Sequence, residues 1–154
     1  MKNILILFYL INLIVLTSCG YKVLNNIDNT NFEIVEINAI GNDKINNRLE
    51  KYFSKFKDKE NPLKLFNVEL NSVFTKKVTS KNSAGEDASY SMKIKVKLDI
   101  TENNQNIESN TFEKNTNYNN LDSKFELKQY ENVLINNLVD EIIVEINSFL
   151  RTIK

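Results

Sequence analysis

Tyr90-Ser91-Met92-Lys93-Ile94-Lys95-Val96-Lys97-Leu98-Asp99-Ile100-Thr101 alternates without a break. Tyr90, Met92, Ile94, Val96, Leu98 and Ile100 fall on one side; Ser91, Lys93, Lys95, Lys97, Asp99 and Thr101 fall on the other. Such period-two patterning describes an antiparallel strand with one face buried and one in water. Its neighbours on both sides read as partners. Upstream, Leu65 to Thr79 places Phe66, Val68, Leu70, Phe74 and Val78 on one parity, interrupted by Ser72 and Lys76. Ser80 to Gly85 supplies the turn between the two. Downstream, Glu102-Asn103-Asn104-Gln105 turns the chain into a weaker strand, about Ile107 to Thr116, anchored by Phe112.

Helical patterns flank this meander. Ile45, Leu49, Tyr52, Phe53 and Phe56 form one face of an amphipathic helix that closes before Asn61-Pro62. Before it, Phe32 to Ile37 is a short β-branched run, and Gly41-Asn42-Asp43 separates the two. After a polar connector over 117–122 that holds Tyr118, Ser123-Lys124-Phe125-Glu126 fits a capping box. The helix behind it carries Tyr130, Leu134, Leu138, Ile142, Ile146, Phe149 and Ile153, with Ile135, Val139, Ile143 and Leu150 widening the stripe. The order β-α-β-β-β-α predicts an α+β two-layer sandwich: a four-stranded, mostly antiparallel sheet covered on one face by two helices. The segment joining the first two strands suits a crossover. The long hairpin arms exceed an ordinary strand, predicting a sheet that outruns its helical cover.

Composition narrows the chemistry. The chain has 154 residues, 20 Lys+Arg against 20 Asp+Glu, no histidine and one cysteine. Imidazole-based triads, imidazole metal ligands, thiolate zinc clusters and internal disulfides are thereby excluded. No basic excess exists to neutralise many phosphates, so nucleic acid is not an expected partner. No cofactor and no catalysis are expected.

The first residues carry an address. Lys2 is followed by an apolar run from Ile4 to Leu16 with Asn12 as its strongly polar member, the shape of a signal peptide and short for a permanent span. Leu16-Thr17-Ser18-Cys19 then resembles a bacterial lipobox. That resemblance implies signal-peptidase recognition of Leu16, Thr17 and Ser18, cleavage before Cys19, and acylation of Cys19; Gly20 at the next position implies sorting to the outer membrane. The expected organisation is a signal peptide over 1–18, a lipidated tether over 19–31 and a single domain over 32–154. Cleavage removes only Lys2 from the charge count, so the mature chain is close to neutral.

The lipobox reading Cys19-Gly20-Tyr21, this element order, the long alternating strand, a following strand that ends Asn117-Tyr118-Asn119, and the closing helix together resemble the lipopolysaccharide-assembly lipoprotein (LptE) family. The resemblance covers nearly the whole chain and is architectural. It implies a non-catalytic plug and assembly partner of an LptD-type outer-membrane β-barrel. That role is periplasm-facing and serves lipopolysaccharide transport, with direct lipopolysaccharide contact open. Lys76, Lys77, Lys81, Lys93, Lys95 and Lys97 are the candidate contacts to lipopolysaccharide or barrel, set against the plainer reading of solvated lysines that discourage aggregation. Tyr118 and Tyr130 are weighed as interface anchors against core packing. Two further readings stay open: a periplasm-facing lipoprotein that binds a glycan or other ligand without entering a barrel, and a surface lipoprotein of a Gram-positive type. Glu86 with Asp87, and Glu131 with Asp140 and Glu141, have no spacing that forces a carboxylate pair together, and Asp99 with Glu102 lacks a calcium-loop pattern.

Overall fold

A computed structural model describes residues 31–153. The first strand, β1 (Phe32–Gly41), leads into helix α1 (Asp43–Phe53) and a 3-10 turn (Ser54–Phe56). Strands β2 (Lys64–Lys81), β3 (Asp87–Glu102) and β4 (Gln105–Asn119) follow, and helix α2 (Lys124–Leu150) closes the domain. The four strands lie in the order β1-β2-β3-β4. β1 runs parallel to β2, whereas β2–β3 and β3–β4 are antiparallel. This is the expected sandwich.

The alternation in β3 is realised residue by residue. Tyr90, Met92, Ile94, Val96, Leu98 and Ile100 are all buried, and they meet Phe66, Val68 and Leu70 of β2 and Leu138, Val139, Ile142 and Ile146 of α2 in one core. An aromatic group closes one end. Phe32 stacks on Phe56 with ring centroids 5.5 Å apart, and Tyr52 meets Phe56 edge-on at 5.6 Å. α1 also grips α2 from the outside, where Arg48 donates to both carboxylate oxygens of Asp140 at 2.9 and 2.6 Å.

Local chemistry sets the boundaries. Asn42 caps α1, its side-chain oxygen accepting from the Ile45 N–H at 3.2 Å, and Ser123 caps α2 by accepting from the Glu126 N–H at 3.3 Å. Asn103 and Asn104 both adopt positive φ, 51° and 64°, the geometry a two-residue hairpin turn demands.

Two elements depart from expectation. β1 continues past Ile37 to Gly41 because a bulge between Ile34 and Glu36 resets its alternation. Ile34 faces the core before the bulge, and Ile37 and Ala39 pack against it afterwards. β4 runs to Asn119, so Tyr118 belongs to the strand and not to a connector. Its helix-side positions include Glu108, Asn110, Lys114 and Thr116, across from Ile100, Leu98, Ile94 and Met92, and the first two are exposed. So polar a strand has little pattern of its own; pairing with β3 holds it extended.

Candidate functional site

The six candidate lysines do not form one patch. Lys93, Lys95 and Lys97 share the face of the sheet turned away from the helices, as the alternation requires. Lys77 lies opposite Ser91 on that same face, and Lys81 lies opposite Asp87 beyond a pair of register shifts. Lys76 is paired with the buried Met92 and therefore points to the helix side.

The charges on the outer face are also unevenly compensated. Lys93 pairs with Glu113 at 2.7 Å and Lys97 with Asp99 at 2.6 Å. The Lys93 ammonium holds the Glu113 carboxyl below its usual range, and Lys97 with the Ser109 hydroxyl does the same for Asp99. Glu113 stands on β4 and Asp99 on β3 itself. Toward β2, Lys77 and Lys81 make no ion pair among the described residues, while Lys95 stands between Val73 and Glu113 and adds to the field on that carboxylate. The basic character therefore concentrates at the β2–β3 hairpin end.

Next to it lies a feature that the sequence reading missed. β1 pairs with β2 only as far as Ser72, so β2 from Val73 to Lys81 borders no strand on that side. The chain leaves the sheet there through Gly41, at φ +116°. The Asn42 N–H reaches Ser72 Oγ at 2.9 Å, and the buried Ser72 hydroxyl donates to Asn46 Oδ1 at 2.6 Å. A signal for this was present: a short first strand ending near Gly41 cannot flank a second strand that runs to Thr79.

On the helix side, Lys76 Nζ sits 4.0 Å from the Tyr90 ring centroid and bonds Glu131 Oε1 at 2.6 Å. Tyr118 donates to the same oxygen at 2.7 Å. Tyr118 is only 5% exposed and is a core residue. Tyr130, 43% exposed, packs edge-on against it at 6.1 Å and keeps a free flank. Burial first, and the Glu131 carboxylate second, push the Tyr118 hydroxyl's ionisation up, while burial pushes Tyr52 up to about 12. Both tyrosines bind their protons more tightly folded than unfolded. Their contribution is therefore complete below about pH 10 and is lost as pH rises through the folded values. Denaturant midpoints are expected to hold from neutrality to about pH 10 and then fall steadily as tyrosinate absorbance rises. A flat midpoint up to pH 12 would contradict the burial of these hydroxyls.

The acidic candidates are occupied separately. Glu131 serves Lys76 and Tyr118, Asp140 serves Arg48, and Glu86 accepts from the Asn82 side chain at 2.9 Å. Among the described residues no group of three metal-binding side chains converges. A shallow hollow of about 480 Å³ on the outer face, lined by residues including Asn38, Ile40, Glu69 and Asp99, mixes both charges without directing them at a point. The proposed lipobox, Leu16, Thr17, Ser18 and Cys19, lies outside the described residues.

The described residues form a four-stranded α+β sandwich with two helices on one sheet face and the other face left to solvent. No protein-family model and no curated protein sequence matches the chain. Its fold is shared with solved structures of small bacterial lipoproteins. Rare lipoprotein B from Shewanella oneidensis superposes with a TM-score of 0.54 at 11% identity, covering 76% of this chain and 94% of that one. An uncharacterized lipoprotein B from Nitrosomonas europaea gives 0.56 at 15%, covering 82% and 87%. A minor lipoprotein from Acinetobacter baumannii gives 0.55 at 13%, covering 75% and 89%. The fold is LptE-like, as the sequence resemblance implied.

Proposed function

We propose that the chain is an outer-membrane lipoprotein, anchored through Cys19 and facing the periplasm, that serves as plug and assembly partner of an LptD-type β-barrel in lipopolysaccharide transport. The observation that carries this reading is a lipobox set a short tether ahead of a domain with the rare lipoprotein B fold. The physical role follows from the fold's surface. A rigid two-layer body fills space, and a polar outer sheet face suits the wet wall of a barrel lumen better than lipid. The lysines fit this role as contacts to a partner. Lys77 and Lys81 are the better placed, because Lys93 and Lys97 are already neutralised by Glu113 and Asp99 and Lys95 also faces Glu113.

Affinity purification of the full chain from membranes in mild detergent tests the proposal. A large β-barrel should be recovered in equal amount with the chain. Recovery of the chain without a barrel would sink the plug role and favour the rival, a periplasm-facing lipoprotein that binds a glycan or another ligand.

A further inference from the structure

The side of β2 beyond Gly41 is an open sheet edge with a definite set of main-chain groups. The Ser72 C=O accepts from the Asn42 N–H at 3.3 Å and so points toward the β1 side. Within a strand the direction repeats every second residue. The N–H and C=O groups of Phe74, Lys76 and Val78 therefore point out of the same edge, where β1 has already turned away. A strand there would lie in line with β1 and add to the sheet. The edge is accessible: Val73 is 51% and Val78 45% exposed.

We propose that the Val73–Lys81 edge of β2 is a strand-addition site for an extended, acidic segment of a partner protein. Main-chain hydrogen bonds would supply the binding, and alternate side chains the selectivity. On the outer face, an added strand's side chains fall beside Val73, Thr75 and Lys77, with Lys93 and Lys95 one strand further in. Lys77 makes no ion pair among the described residues, nor does Lys81 across from Asp87, so carboxylates of an incoming strand would meet cations that no acid holds in a salt bridge. The helix side offers Phe74 and Val78 to its apolar residues, and there Lys76 is already held by Glu131.

A second copy of this chain fits poorly. The edge groups of Phe74, Lys76 and Val78 set the possible registers of an antiparallel self-pairing. In the fullest register over 73–81 the two-fold axis places Lys77 opposite its own mate, and in the one that uses all three edge residues it places Lys76 so; like charges opposite one another are destabilising. β1 begins opposite Lys64, at the far end of β2 from this edge. Lysines along an edge discourage self-association, and the same lysines select an acidic guest. A chain that purified without any barrel would leave this edge as open as before.

Amide hydrogen exchange on the full acylated chain in detergent micelles tests the site. The probe is a nine-residue peptide in which glutamate alternates with valine and threonine, compared with its lysine counterpart. The glutamate peptide should slow exchange at Phe74, Lys76 and Val78 at least about tenfold, and the lysine peptide should not. Val78→Pro removes one edge N–H that pairs with nothing in the sheet. It should abolish the protection while the β3 amides stay protected, since proline is tolerated on an edge. Lys77→Glu should reduce it without touching the main chain. Each of four results would overturn the proposal: no protection at these amides, protection along β4 instead, equal protection by both peptides, or the same pattern from the chain alone on concentration. Equal protection by lipopolysaccharide vesicles would assign the edge to a glycolipid surface and overturn it too.

Discussion

Replacing Gly41 by alanine should cost the domain about 3 kcal/mol or more, a large share of the roughly 5–15 kcal/mol that holds a domain of this size together. Two penalties coincide at this position. The backbone at φ +116° lies where side chains are rarely accommodated, and an added Cβ would stand 1.9 Å from the Ser72 carbonyl oxygen. That oxygen belongs to the neighbouring strand and cannot swing aside like the end of a flexible side chain. Alanine must therefore push β1 off β2 where Ser72, Asn42 and Asn46 share their hydrogen bonds. Gly85 provides the contrast. It has φ +82° in the β2–β3 turn with nothing within 4 Å of a built Cβ, so Gly85→Ala should cost only about 1–2 kcal/mol of backbone strain. Denaturant titration of both variants separates close approach from conformation. Equal losses would refute the contact between Gly41 and Ser72.

Cys19→Ser should release the protein from the membrane altogether when it is secreted behind an ordinary cleavable leader in a host that lacks its barrel partner. Each buried methylene of an acyl chain contributes about 0.8 kcal/mol, so one chain binds reversibly while two or three hold a protein in place. Among the described residues no helix is long and apolar enough to cross a membrane, so no described helix would replace the anchor. The variant should appear wholly in the soluble fraction with its unfolding midpoint unchanged, because the described core begins at Phe32. Intact mass should show acyl chains on the wild-type chain. An unmodified Cys19 in a freely soluble wild-type protein would end the lipoprotein reading.

Local pattern made much of the fold legible. The alternation of Tyr90–Thr101 fixed which residues of β3 are buried, and the Asn103-Asn104 turn fixed where the next strand begins. The Ser123 cap and the stripe from Leu138 to Leu150 did the same for α2. Parity in β2 already grouped Lys76 with Phe66, Val68 and Leu70. Treating it as part of a patch with Lys77 and Lys81 set that signal aside, and Lys76 indeed turns to the helix side against Tyr90 and Glu131. Tyr118 was harder. The Asn-rich residues around it carry no strand pattern, and only Tyr90 across the ladder and Glu131 from the helix draw it into the core.

The sequence by itself determined the elements, their order and the buried faces of β2, β3 and the two helices, because side-chain period and capping are properties of neighbouring residues. The tertiary structure alone decided that a bulge carries β1 on to Gly41, that Gly41 rests against Ser72, and that β2 then runs on with one edge open. It also decided that Lys93 is neutralised, since Glu113 reaches it only once β3 and β4 are in register, whereas the Lys97–Asp99 pair lies within one strand. Strand partners and their offsets join residues distant in the chain, and the energy that sets them is burial shared across the whole sheet, which no local window of sequence contains.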